Sequence, residues 1–361
     1  RLVEDVRVGS LDDPDVGFSN ITGVDVDRDG FIYVLERMDR EIRVYDPEGR
    51  RVRTIGGPGR GPGEFERPTL FGVLGDTVWV NDTGLDRLTL FSRGGDLIST
   101  HGGMAIQIDV PGIYVTIGPG RMRSDRLLET RLGSLALPSG ARPSDIVVPR
   151  LLLDLDGTVV DTIGADTMSL SDMFSQDRPR FGGITFMPPG AAPDTPYTLT
   201  ADDGTIRVER PRPLSGDPST FTVTRTRTGG DTVYGIRFRY TPRPYQGAVI
   251  DSLVAERSRL YEERVDDPEG LRNAMREALD LPAFQAPITS GLLGRDGSAL
   301  LSREDEGAGQ TWIVIDSAGT PAGRFHLPRT STIRWVRGDR MWIVEHDEFE
   351  VQWLVRYLVR R

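Results

Sequence analysis

The chain has 361 residues, no cysteine and a formal net charge of −10 at pH 7, with a pI near 5.0. Disulfides, thiol catalysis and thiolate metal sites are therefore excluded, and nucleic acid is not an expected partner, because a phosphate backbone needs a concentrated positive field. All 44 basic residues are arginine, which removes lysine nucleophiles and Schiff bases. Glycine at 42, proline at 25 and only 37% hydrophobic residues favour many short strands joined by turns over long helices. No apolar run reaches the roughly 18 residues of a membrane-spanning helix, so no transmembrane segment is expected. The start at Arg1 without a methionine leads us to expect a trimmed product, a removed secretion signal being one explanation.

Residues Arg1 to Val8 alternate as a strand but stand ahead of the first complete repeat. From Ile21 a unit begins: a strand to Val26, a DRDG turn, the strand FIYVLE, a short turn at Met38 to Arg40, EIRVYD, a PEG turn and RRVRTI. Aspartate, glycine and proline sit where hairpins need a positive or a preset φ. Four strands in about 35 residues is the period of a propeller blade.

A second copy runs from Thr69 to Thr100, with GDTVWVND matching DGFIYVLE and LTLFSRGGDLIS matching IRVYDPEGRRVR. The third starts at IQIDVPGIYVTIG, is expected to be interrupted by a loop-like stretch from Pro119 to Val147, and ends with LLLDLDGTVVDTIG. The fourth reads YTLTADDGTIRVER and FTVTRTRTGGDTVYGIRFRY. After Tyr240 the apolar spacing turns helical at Ile250, Leu253, Val254, Leu260 and Tyr261, and again at Leu271, Ala274, Met275 and Ala278. Asp267 followed by Pro268 starts a helix and Pro282 closes the pair, so residues 247–281 read as a helical insertion. The strand pattern resumes in ITSGLLGRDGSALLSRE and TWIVID, and a last unit, STIRWVRGDRMWIVEHDE with EVQWLVRYLVRR, supplies only three strands.

The turns between first and second strands fall at Gly30, Asp76, Gly112, Gly204, Gly297 and Asp339, which counts six blades. The expected fold is all-β: a six-bladed β-propeller spanning residues 1–361 as one domain, with the helical insertion between blades four and five. The N-terminal strand, which lacks a blade, is expected to pair into the last blade beside Glu350 to Val359, removing an open sheet edge.

At Gly56 to Pro68, GGPGRGPGEFERP resembles the glycine-rich crossover of NHL-repeat proteins, which place a G-x-G-x-F-x-x-P run between blades. Phe65 is expected to anchor this crossover in apolar packing and Pro68 to start a strand. The resemblance implies a bacterial-type propeller. It does not choose among the family's lyases, lactone hydrolases, sensor domains and binding modules.

The sharpest chemical motif is DVDRDGFIYVLE, in which Asp25, Asp27, Asp29, Gly30, Ile32 and Glu36 fill an EF-hand loop pattern. No flanking helices are expected, and along a strand Glu36 stands some ~17 Å or more from the turn. A hairpin turn and a smaller calcium loop on Asp25, Asp27 and Asp29 are the two readings, so calcium is the one cofactor considered and none is required. His101, His326 and His346 are spread over the repeats, where a zinc site needs convergent ligands. The acidic run Glu345, His346, Asp347 and Glu348 reads as a solvated loop, and Asn20 and Asn81 are the only asparagines outside the helical insertion. No G-x-S-x-G elbow is present.

The insertions offer the remaining lead. Phe181, Phe186 and Met187 lie in a proline-rich stretch, and Leu260 and Tyr261 in the helical pair; together they are the expected partner surface. The reading that follows is a non-catalytic protein-binding or scaffold propeller, an exported, periplasmic extrinsic subunit of an envelope or membrane-bound complex such as a respiratory or photosynthetic assembly. A metal-dependent hydrolase or lyase of lactonase type, acting at the central channel, is the alternative, and a small-ligand sensor domain the second.

Overall fold

The computed structural model describes residues 1–10, 16–110, 113–136, 146–168, 179–186, 196–201, 204–227, 230–304, 309–347 and 349–360. β1 (Leu2–Val8) precedes the first blade, which is β2 (Ile21–Val26), β3 (Ile32–Glu36), β4 (Glu41–Tyr45) and β5 (Arg51–Gly56). The second blade is β6 (Pro68–Leu74), β7 (Thr77–Asp82), β8 (Arg87–Ser92) and β9 (Leu97–Gly102). A third, five-stranded sheet holds β10 (Ile106–Val110), β11 (Ile113–Met122), β12 (Leu128–Ala136), β13 (Ile146–Leu153) and β14 (Val159–Met168). A two-stranded hairpin, β15 (Arg180–Phe181) and β16 (Ile184–Thr185), stands before the fourth blade: β17 (Tyr197–Ala201), β18 (Gly204–Glu209), β19 (Ser219–Arg227) and β20 (Thr232–Tyr240). Helices α1 (Ala248–Ser258) and α2 (Pro268–Glu277) follow. Then come β21 (Ser290–Leu293), β22 (Ala299–Glu304), β23 (Gly309–Ile315) and β24 (Pro321–Pro328), and finally β25 (Thr332–Arg337), β26 (Arg340–His346) and β27 (Gln352–Val359).

The fold is a six-bladed β-propeller. The sixth sheet runs β1-β27-β26-β25, and the antiparallel register from Leu2↔Val359 to Val8↔Leu354 makes the N-terminal strand the outermost member of the last blade, as the orphaned first strand predicts. The helical insertion lies between blades four and five, also as expected. The chain divides into two compact units: one gathers blades one to three and most of the sixth sheet, the other blades four and five with the helices.

Alternation along the second strand of a blade explains how the blades hold one another. Every residue of β3 and of β7 is buried. Ile32 and Val34 join a core with Trp335, Trp342 and Val344 of the sixth blade, whereas Tyr33 and Leu35 join one with Val78 and Val80 of the second. Trp79, pointing the other way from Val78 and Val80, packs with Val115, Ile117 and Leu128 of the third sheet. A strand buried on both faces must be apolar at successive positions, which is why FIYVLE reads as a run and the outer strands β5 and β9 do not.

The glycine-rich crossover meets its expectation. Phe65 is fully buried and meets Phe91 edge-on, ring centroids 5.9 Å apart. Gly56 has φ of 78°, and a Cβ there would lie 2.1 Å from Phe65 Cε2, so neither the conformation nor the contact tolerates a side chain. Pro68 opens β6.

The third sheet corrects one expectation. The stretch from Pro119 to Val147 is not simply a loop, because β11 runs through to Met122 and pairs with β12 from Tyr114↔Ala136 to Met122↔Leu128. Register shifts at Thr116/Ile117 and Pro119/Arg121 accommodate the proline, and such bulges break the alternation that would have revealed the strands. The turn at Gly112 lies outside the described residues.

Candidate functional site

The DVDRDG segment is a hairpin turn with its carboxylates engaged. One oxygen of Asp27 accepts the amides of Asp29 and Phe31, both at 2.9 Å, while the other takes Arg93 Nη1 at 2.9 Å and the Tyr33 hydroxyl at 3.3 Å. Asp29 also pairs with Arg93, whose guanidinium holds its carboxyl below the usual range. Asp25 turns elsewhere: it accepts the amide of Val26 at 2.9 Å and, across the blade boundary, that of Val73 at 2.8 Å. Arg93 Nε reaches Asp76 at 3.0 Å, so one arginine gathers three carboxylates from two blades.

The same turn recurs. Asp27, Asp46, Asp154, Asp316 and Asp347 each accept backbone N–H groups two and four residues ahead. The residue three ahead has positive φ in every case: Gly30, Gly49, Gly157, Gly319 and, without the freedom of glycine, Glu350 at 61°. Asp347 thus belongs to a turn, and also accepts Trp353 Nε1 at 3.1 Å. Glu345 accepts the Tyr357 hydroxyl at 2.6 Å and Arg7 at 3.0 Å.

The histidines sit on separate blades with local partners: His101 near Asp156 at 3.4 Å, His326 with Thr311 at 2.9 Å, His346 with Gln352 at 3.0 Å. Among the described residues no three histidine, aspartate or glutamate side chains form a group suited to a metal ion. Asn81 is buried and donates to the Pro119 carbonyl at 3.1 Å. Asn20 contributes its backbone amide to the Glu36 carboxylate at 2.8 Å.

Glu36 and Asp82 have a role that strand patterning does not disclose. Both are fully buried at the ends of second strands. Glu36 accepts the amides of Ser19, Asn20 and Met38, and Asp82 those of Glu66, Arg67, Gly84 and Leu85. Each ties the segment entering its blade to the following turn. The aligned pair FIYVLE and TVWVND was the available signal, since a carboxylate closes both.

The helical insertion shares a small core with the hairpin that precedes blade four. Phe186, Val254, Leu271 and Met275 are buried together, with Phe181, Ile184, Tyr261 and Val265 packed against them. Asp267 caps α2 by accepting the Gly270 amide at 2.8 Å, as its sequence predicts, and Arg272 bonds Glu262 at 2.7 Å. Of the expected partner residues, Phe186 is 1% exposed and faces inward onto Tyr261 at a centroid distance of 6.5 Å, while Leu260 is 61% exposed. Met187 lies outside the described residues. Among the described residues no helix is long and apolar enough to cross a membrane.

A family model described as a 6-bladed beta-propeller matches residues 13–101, the stretch holding the first two blades and the glycine-rich crossover. No curated protein matches the chain by sequence. Among solved structures, the chain is similar to a protein described as a candidate exported protein of Bacteroides fragilis, at 9% identity and TM-score 0.47, with 100% of this chain and 95% of that one covered. It is similar to virginiamycin B lyase from Staphylococcus aureus at 12% identity and TM-score 0.41, covering 100% and 99%. For the PQQ-bound aldose sugar dehydrogenase of Streptomyces coelicolor the values are 12% and 0.43, covering 99% and 97%.

Proposed function

We propose that this six-bladed propeller is a non-catalytic binding protein, exported from a bacterial cytoplasm, whose helical insertion faces a protein partner in an envelope or membrane-bound complex. The observation that carries the reading is the satellite core. Phe186, from the hairpin before blade four, closes a small apolar centre with Leu271 and Met275 that is distinct from the core between blades four and five, so the helices and this hairpin support each other as an added element. A rigid projection of this kind suits recognition, because its contact residues are held in place before the partner arrives.

Leu260, exposed beside the packed Tyr261, is the contact residue of choice. Phe186 is a poor probe, since its truncation would open a cavity costing about 3–5 kcal/mol and unfold the insertion locally. The test is purification from native membranes under mild conditions, with companions identified by mass spectrometry, for the wild type and for Leu260→Asp. Loss of one specific companion in the variant, with its thermal midpoint unchanged, supports the reading; an undiminished set of companions in both Leu260→Asp and a variant lacking residues 247–281 would sink it.

A further inference from the structure

Blades four and five leave a cleft of about 390 Å³ between them, walled by β19 and β20 on one side and by β22, β23 and β24 on the other. Its inner wall is apolar. Phe221 and Phe238 stack with centroids 4.9 Å apart and planes 10° from parallel, and Tyr240 tilts onto Phe221 at 6.0 Å. These rings and Ile313 are continuous with the core between the two blades, so the cleft is where that apolar layer stops short of the surface. Gly323 lies at the opening, where a Cβ would meet no atom within 4 Å.

The rim is cationic. Arg239, Arg303 and Arg324 line it and no aspartate or glutamate does, in a chain whose net charge is −10. Arg324 shares a face with Ile313, its cross-strand partner, whereas Arg239, between Phe238 and Tyr240, leaves from the other face of β20; among the described residues Arg324 makes no ion pair. The Tyr240 hydroxyl is buried beside Ser219, and burial pushes its phenol up, so it keeps its proton. Arg324, without an ion pair at the mouth of an aromatic cleft, matches one ligand chemistry. A flat apolar body gains by leaving water against Phe221 and Phe238, while a carboxylate or sulfonate accepts the forked N–H groups of the guanidinium. The volume falls within the usual range of small-molecule sites, about 300–1,000 Å³.

We propose that this cleft binds a small organic anion with a planar apolar body, its ring against the Phe221–Phe238 stack and its anionic group on Arg324. The site is independent of the helical insertion, and its occupant is a small molecule rather than a protein.

Calorimetric titration with 2-naphthoate and with neutral 2-naphthalenemethanol separates the two halves of the proposal. We expect naphthoate to bind in the submillimolar range and the alcohol about tenfold more weakly. Arg324→Ala, at an exposed position, should weaken naphthoate about tenfold and leave the alcohol unchanged; Arg239→Ala, on the other face of β20, should alter neither. Absence of naphthoate binding at about 1 mM overturns the proposal. So does equal affinity for acid and alcohol, which marks unspecific adsorption, and so does displacement by acetate as readily as by naphthoate, which reduces the site to its charge alone.

Discussion

Glu36 shows what a buried carboxylate contributes when it is neither a catalyst nor a metal ligand. Its buried oxygens hold three backbone amides, of Ser19, Asn20 and Met38, at part-buried positions. Glu36→Ala should therefore destabilise the fold by about 3 kcal/mol in urea unfolding. The charge itself is less welcome than the hydrogen bonds: burial raises the Glu36 pKa above its ordinary 4.5, and the three amides only partly offset this. An acid with a raised folded pKa binds its proton more tightly when folded. Its penalty is absent below 4.5, grows as the pH rises to the folded value, and is constant above it. Urea midpoints taken between about pH 4 and about pH 7 should thus fall with pH more steeply in the wild type than in Glu36→Gln, where the titration is gone. Parallel curves would mean that the buried charge is fully compensated.

The hairpins govern the element scale, and Arg93 spans two of them. It neutralises Asp27 and Asp29 of the first blade and Asp76 of the second, so any cation approaching the DVDRDG turn must first displace it. Arg93→Ala should cost about 1 kcal/mol or less at low salt, with the loss shrinking as salt rises. The same variant is the informative background for calcium. Asp25 is turned away to the Val26 and Val73 amides, so the test concerns Asp27 and Asp29: a thermal midpoint that rises with added calcium only after Arg93 is removed would identify the arginine as their competitor. An equal response in both proteins would separate calcium from these carboxylates.

Legibility at this scale followed locality. The first two blades could be read because their turns and alternating strands are set by neighbours in sequence, and Asp267 announced α2 for the same reason. The third sheet could not, since Pro119 and the bulges beside it interrupt the alternation. Nor could the inward placement of Phe186, whose partners Leu271 and Met275 lie far along the chain. The cleft escaped notice because strands of two blades bring Phe238 and Arg324 to it, and an arginine on an outer strand looks like any solvated charge.

At the scale of the whole molecule the question is how the last blade is completed. β27 has one neighbour in β26, and without β1 its other edge would present unpaired N–H and C=O groups to solvent and to other chains. Side chains reinforce the pairing: Val8 is buried with Trp342 and Leu354, Arg356 bonds Asp5 at 2.6 Å, and Arg7 reaches Glu345. Arg356 Nη1 also donates to the Pro47 carbonyl at 2.8 Å, and a Cβ on Gly49 would meet Val6 and Val8, so the strand closing the sixth blade also seats the outer turn of the first. Removing residues 1–9 should consequently lower the unfolding midpoint by far more than the loss of an exposed terminal strand, about 3 kcal/mol or above, and promote self-association through the bared edge. Because the missing partner is a single strand, a synthetic peptide of sequence RLVEDVRVG should restore the midpoint when added in trans, in a concentration-dependent way. A peptide with the same composition in scrambled order should not, since the alternation that buries Val8 and exposes Glu4 would be lost. Truncated protein that stays monomeric and keeps the wild-type midpoint would show that β27 needs no outer partner.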